Sequence, residues 1–226
     1  MMGFRKSELL VFFMVLVSFA IGAYAYDSLP GKVASHWNAQ GEVDGHMPKP
    51  WGVYFLPAML AVLAVVFFAI PRIDPYGKNI EQFREYYDNF IMLLMLFMIA
   101  VYVQTLLWNM GAQISFNLTM PLGIGALIYY AGEMCGHSKR NWFIGIRTPW
   151  TLMSERVWEK TNRMGGKLFK LVGIAAVLSV LLGEVALLAV VGMAIAGAAY
   201  VFAYSYFEYQ KEWKKEKGER KGRRKA

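Results

Sequence analysis

The sequence predicts an all-α integral membrane protein, a polytopic helical bundle of about six transmembrane helices with both termini in the cytoplasm. Three observations predict this fold class. Hydrophobic residues make up 57% of the 226 residues and charged residues only 18%, which is too apolar for an ordinary soluble domain. Apolar runs recur at lengths that suit a bilayer, and the basic residues fall in alternate loops.

The apolar runs define the spans in chain order. The last run is too long for one helix, so we expect two spans joined by a hairpin at Gly183-Glu184, where an acid lies in water. The fourth run is the shortest of the set. The runs are residues 9–26, 53–71, 90–108, 116–131 and 168–207.

The basic residues predict the orientation. With the N-terminus inside, all of the 24 Lys and Arg residues except Lys32 and Lys49 lie in cytoplasmic segments. The alternative of a signal peptide cleaved after Ala25 leaves the other spans unchanged. The net charge of +8 lies largely in the tail, for which we expect contact with membrane lipids and no direct nucleic-acid binding. The predicted location is the cell membrane, and the chain divides into segments 1–75, 76–133, 134–210 and 211–226.

The outer loop, residues 27–50, is the first candidate site. Leu29-Pro30 ends the first helix, and turn-forming residues follow His36-Trp37-Asn38. This group could form a structural lid or recognise a ligand. A third alternative is a metal site with mixed nitrogen and oxygen ligands, although the spacing is not that of a helical metal motif. Its ligands would come from His36, Glu42, Asp44 and His46.

The inner loop, residues 133–167, is the second candidate site. Ser154 predicts a helix N-cap, with helix over 155–164. Arg147 lies among tryptophans and is expected to be partly buried, so it needs an anionic partner. That partner is either an internal carboxylate (Glu133, Glu155 or Glu159) or a lipid phosphate or bound protein. We expect Asn162 to hydrogen-bond back to the turn at 147–148.

The remaining polar residues of the spans favour binding over transport. Gln104, Asn109 and Asn117 lie near the outer ends of the third and fourth spans, where we expect them to bond with the outer loop. No row of acids within the spans suggests a proton path. The single cysteine, Cys135, excludes an internal disulfide, and no cofactor is expected.

Two stretches resemble a known family. "RNWFIGIRTPWTLMSERVWEKTNRMGG" is similar to the signature of the SdpI family, membrane proteins typified by immunity to a secreted sporulation-delaying toxin. "LPGKVASHWNAQGEVDGHMPK" resembles the domain of unknown function that commonly precedes it. The resemblance implies a membrane immunity or signalling protein, with an extracellular peptide toxin and a cytoplasmic transcriptional repressor as partners. The long basic tail departs from the family's short tails.

The resemblance also implies the site residues. The extracellular set is His36, Trp37, Asn38, Gly41 and Asp44. The cytoplasmic set is Arg140, Asn141, Gly145, Arg147, Thr148, Pro149, Trp150, Trp158 and Asn162. The alternative from another class is a membrane enzyme or lipid-handling protein that uses His36 with Asp44 or Glu42 as acid/base groups or metal ligands.

Overall fold

The computed structural model describes residues 5–38, 40–181 and 186–223, and over these residues the chain is mainly helical. A short 3-10 helix, Tyr26–Ser28, follows the first helix, and an antiparallel hairpin of β1 (Lys32–Trp37) and β2 (Val43–Pro48) precedes the second. The helices are α1 (Lys6–Ala25), α2 (Lys49–Ile73), α3 (Gly77–Glu81), α4 (Arg84–Asn109), α5 (Phe116–His137), α6 (Pro149–Met153), α7 (Glu155–Leu178) and α8 (Ala186–Arg223).

The polytopic helical architecture is confirmed. Five stretches of the described chain are long and apolar enough to cross a membrane: Lys6–Ser28, Lys49–Ile73, Arg84–Asn109, Glu155–Leu181 and Leu188–Lys215. The predicted fourth span forms the 22-residue helix α5, which is not among the five. A six-span count therefore stays a prediction. It is supported by the packing of α5 along α7, which is itself one of the five.

The contact between α5 and α7 depends on glycine. A Cβ added to Gly132 would lie 2.6 Å from the Gly166 carbonyl oxygen, and one added to Gly173 would lie 2.6 Å from the Tyr129 nitrogen. Gly125 of α5 likewise meets Gly173 of α7, so the two helices run antiparallel. Small residues permit this approach because helices in lipid associate through close van der Waals packing.

Helix α7 begins where the sequence predicts and ends much later. Ser154 Oγ accepts a hydrogen bond from the Val157 backbone N–H at 3.2 Å, which confirms the N-cap. The predicted end near Met164 is wrong, because α7 continues without a break into the membrane span. The amphipathic inner segment and the fifth span are therefore one continuous helix. The predicted hairpin at 183–184 lies outside the described residues.

The predicted outer loop is a β-hairpin on the described residues, which the all-α prediction did not include. In its turn, Asn38 Oδ1 accepts hydrogen bonds from the Gln40 and Glu42 N–H groups at 3.0 and 2.9 Å. Gly41 has a φ of +82°, a conformation that glycine adopts without strain. The first strand buries the adjacent residues Val33 and Ala34, so it lacks the alternation that marks a strand.

Contacts between distant segments show which parts of the chain lie at each end of the bundle. At one end, the Trp142 N–H donates to Asp74 Oδ2 at 2.8 Å, and Ser154 Oγ donates to Glu212 Oε2 at 2.7 Å. Helix α8 thus passes beside the inner loop at Glu212. At the other end lie the hairpin and the C-terminus of α4. This grouping agrees with the charge pattern, and the assignment of that first end to the cytoplasm stays a prediction.

Candidate functional site

The side chain of Asn109, at the end of α4, holds the hairpin on the bundle. Its Oδ1 accepts from the Ala34 N–H at 2.7 Å, and its Nδ2 donates to the Ala34 carbonyl at 3.1 Å. One amide therefore pairs both backbone groups, as a neighbouring strand would. The predicted bond between Asn109 and the outer loop is confirmed. Gln104 instead donates to the Ile114 carbonyl at 3.0 Å.

A cavity of about 480 Å³ lies beneath the hairpin, between α2, α4 and α5. The hairpin contributes its polar upper wall through Ser35, His36 and Asn38. Its deeper wall is apolar. The residues of that wall include Phe55, Leu56, Val101, Met120 and Ile124. A concave, mainly apolar space with a few polar groups has the character of a ligand site.

Trp37 packs at one side of this cavity. Its ring lies 4.2 Å from the Phe116 ring and meets the Trp108 ring edge-on at 5.7 Å between centroids. The indole nitrogen is buried, and none of the described residues accepts its hydrogen bond. A buried N–H without an acceptor is costly, and an acceptor on a bound group reaches it only when the ring turns toward the cavity.

His36 pairs with Asp44 across the hairpin. Its Nδ1 lies 2.5 Å from Asp44 Oδ1, and both side chains are exposed. Among the described residues, no three His, Cys, Asp or Glu side chains are grouped so as to hold a metal ion. The structure thus brings His36, Trp37 and Asn38 to the cavity, whereas Gly41 lies in the turn and Asp44 is exposed on β2.

The inner loop is organised around the buried side chain of Asn141. Its Oδ1 accepts from the N–H groups of Phe143 and Ile144 at 2.9 and 2.6 Å, and its Nδ2 donates to the carbonyls of Lys139 and Ile144 at 2.8 and 2.9 Å. Every hydrogen-bonding position of this amide is directed at local backbone. Asn141 therefore fixes the shape of the loop.

Helix α7 supplies the second set of contacts to the loop. Asn162 Oδ1 accepts from the Ile146 N–H at 2.7 Å, one residue before the predicted turn. Trp158 is buried and donates its indole N–H to the Ser138 carbonyl at 3.0 Å. Gly145 has a φ of +102°, and a Cβ there would lie 2.7 Å from Asn162 Oδ1. Asn162 and Trp158 of α7 therefore pack against the inner loop, and Gly145 is the loop residue that they contact.

The residues after Arg147 form a capped turn. The Thr148 N–H donates to Thr151 Oγ1 at 2.8 Å, and the Thr151 N–H donates to Thr148 Oγ1 at 3.2 Å. Pro149 is the first residue of α6, where it needs no N–H partner. The Trp150 ring meets the rings of Phe202 and Tyr206 on α8, each at 5.1 Å. The turn thus attaches the loop to α8.

The expectation that Arg147 is partly buried is wrong. The side chain is exposed, and Nη1 donates to the Trp142 carbonyl at 2.5 Å. The three acids proposed as its internal partners pair with other cations instead. Among the described residues, Glu155 pairs with Arg140, Glu159 with Lys139 and Glu133 with Lys170. Arg140 lies over the Tyr76 ring, and its buried Nε has no hydrogen-bond partner in the part of the chain that the structure describes.

The inner loop and α6 also have exposed apolar side chains, of which sequence reasoning missed Phe143 and Met153. Trp142, Phe143 and Met153 are exposed on the inner loop and on α6. Hydropathy alone does not identify such residues as an exposed surface, because apolar residues are common throughout the chain, including its membrane spans.

A buried ion-pair cluster was also missed. Glu8 of α1 is 2% exposed and lies 3.2 Å from an Arg84 guanidinium nitrogen of α4 and 2.9 Å from one of Arg72 on α2. Arg84 also pairs with Glu81 at 3.0 Å and with Asp88 at 2.6 Å. The i,i+3 and i,i+4 spacings around Arg84 were visible in the sequence. The pairing with Glu8 depends on tertiary packing and was not.

The bundle, with a hairpin-covered cavity at one end and an ordered loop at the other, defines a multi-pass helical protein of the cell membrane. Residues 138–205 match the SdpI/YfhL protein family, and residues 13–61 match a domain of unknown function, DUF1648. The resemblance to this family that the sequence predicts is therefore confirmed over residues 138–205.

The chain is also similar to a curated relative over nearly its whole length. It is 27% identical over 207 residues to Immunity protein SdpI of Bacillus subtilis (strain 168), an alignment that covers 91% of this chain and 97% of the relative. No solved structure is significantly similar to the chain. Both family segments overlap the candidate sites: the DUF1648 segment includes the hairpin, and the SdpI/YfhL segment includes the inner loop from residue 138 onward.

Proposed function

We propose that the chain is an SdpI-like membrane immunity protein that protects its cell from a membrane-active peptide arriving at the outer face. The similarity to Immunity protein SdpI, which extends over 91% of the chain, carries this proposal. The covered cavity supports it, because it offers a space for an apolar ligand at the outer end of the bundle. The relative is an immunity protein, which favours a role other than catalysis and gives no support to the enzyme alternative.

Protection from peptide killing is the first test. A sensitive bacterium expressing the chain is challenged with a panel of membrane-active peptides, beside cells expressing an unrelated multi-pass protein at the same level. The expected result is a several-fold rise in the inhibitory concentration of at least one peptide. Equal killing of both strains across a broad panel contradicts the protective role.

The inner loop is the proposed docking site for a cytoplasmic regulator. Arg147 is exposed, makes no ion pair with a described residue, and lies beside the exposed Trp142 and Phe143. A guanidinium next to aromatic side chains suits a carboxylate or phosphate on a partner. The buried Asn141 and Asn162 would then hold the loop in its binding shape.

A comparison of two exposed arginines tests this docking. Wild-type chain, Arg147→Ala and the control Arg156→Ala are cross-linked in native membranes and analysed by mass spectrometry. Arg156 is exposed on α7 and also lacks an ion pair among the described residues. We expect a soluble DNA-binding protein with wild type and the control but not with Arg147→Ala. If all three capture the same lipids and no protein, the loop is structural.

A further inference from the structure

We infer that the cavity beneath the hairpin binds an apolar segment of a peptide, one of whose backbone carbonyl groups accepts a hydrogen bond from Trp37 Nε1. The inference rests on the proposed function and deepens it, because it names the part of the peptide that is recognised and the residues that recognise it. The volume of about 480 Å³ is within the usual range for ligand sites.

The chemistry of the walls defines the ligand. The deep wall, with Leu56, Val101 and Ile124, favours aliphatic or aromatic side chains. The upper wall contains Trp37, whose buried N–H has no acceptor among the described residues. A ligand that combines an apolar body with a neutral acceptor satisfies both walls, and a peptide backbone flanked by apolar side chains has this combination.

The absence of cations favours a peptide over a phospholipid. No lysine or arginine lines the cavity as the structure describes it, and His36, at its upper wall, is paired with Asp44. A lipid phosphate at this depth would therefore lack a fixed positive partner. A peptide carbonyl needs only a donor, which Trp37 provides once its ring turns to open the buried Nε1 to the cavity.

The arrangement of the helices provides a route of entry. Helix α4 packs against both α2 and α5 and forms the back of the cavity. Helices α2 and α5 form the two side walls and, throughout their described lengths, do not pack extensively against each other. A peptide that has already partitioned into the outer leaflet can therefore reach the cavity sideways, between these helices.

Photo-cross-linking in nanodiscs tests the inference with two probes. The first is a synthetic leucine-alanine peptide with a diazirine leucine, and the second is phosphatidylcholine with a diazirine on its acyl chain. We expect the peptide to label residues 116–124 of α5 saturably and the lipid not to compete. Thr105→Phe, which fills the cavity from α4, should abolish this labelling. Leu96→Phe, on the lipid-exposed face of the same helix, should leave it unchanged.

Trp37→Phe isolates the hydrogen bond, because it keeps an aromatic ring and removes the N–H. The loss of one such bond is expected to weaken peptide binding about two- to tenfold. Trp108→Phe, beside Trp37 but outside the cavity lining, is the control and should have no effect. Thermal unfolding of each variant establishes that it is folded. Saturable lipid labelling that displaces the peptide overturns the inference, as does peptide labelling that Thr105→Phe leaves intact.

Protection assays separate this inference from the proposed function. If the chain protects cells and Thr105→Phe protects equally well, the cavity inference fails and the immunity function stands. If the peptide labels the cavity as expected but no peptide in the panel is resisted, the binding site stands and the immunity function fails.

Discussion

Replacement of Arg84 with glutamine is expected to lower the free energy of unfolding by about 3–5 kcal/mol, the usual cost of breaking a buried ion pair on one side. Arg84 is 7% exposed and contacts the carboxylates of Glu8, Glu81 and Asp88. Without it, three acids remain close together, and the buried Glu8 keeps Arg72 as its remaining cation. Unfolding in mixed micelles, followed by circular dichroism, measures the loss.

Arg72→Gln is the matched control, because it also removes a cation from Glu8. Arg72 is 38% exposed, so water can screen and replace the pair. We expect a loss of about 1 kcal/mol, within the range for exposed ion pairs. Addition of Glu8→Gln to Arg84→Gln should recover part of the stability, because it removes a buried charge that the first substitution left with Arg72 as its remaining ion-pair partner. Wild-type stability in Arg84→Gln would show that the cluster contributes little.

Substitution of Gly132 by leucine is expected to separate α5 from α7 and to cost about 3 kcal/mol, at the upper end for overpacked contacts. The first added atom would already meet the Gly166 carbonyl oxygen at 2.6 Å, and backbone cannot move aside as a flexible side chain can. Thermal unfolding and the yield of monodisperse protein are the measurements.

Gly136→Leu, one turn further along α5, is the control for this substitution. A Cβ at Gly136 meets no atom within 4 Å, so leucine there should leave stability within about 0.5 kcal/mol. Equal losses of stability at both positions would show that leucine perturbs α5 itself and that the contact with α7 is not the cause. Intact stability in Gly132→Leu would contradict the close packing of the two helices.

Local signals in the sequence were sufficient for part of this structure. The N-cap at Ser154 was predicted correctly because it depends on a few adjacent residues. The polytopic bundle follows from the lengths of the apolar runs. The extension of α7 was missed because polar and apolar halves of one helix look like two elements when each is judged by its own composition.

Features that depend on contacts between distant residues could not be predicted. The hairpin is held by Asn109, which is 75 residues from its partner Ala34. Glu8 precedes the first apolar run, and only packing against α2 and α4 buries it. The unusual residue composition of the inner loop was sufficient to mark it as a candidate site. It did not distinguish Asn141, which is buried, from Arg147, which is exposed.

Helix α4 has an anchor at each end. At the C-terminus of α4, Asn109 forms hydrogen bonds with the hairpin, and at its N-terminus Arg84 pairs with three acids. A helix of 26 residues is about 39 Å long and resists axial stretching. Because both anchors are on one helix, a shift of α4 along its axis would disturb the hairpin and the pair between Arg84 and Glu8 together.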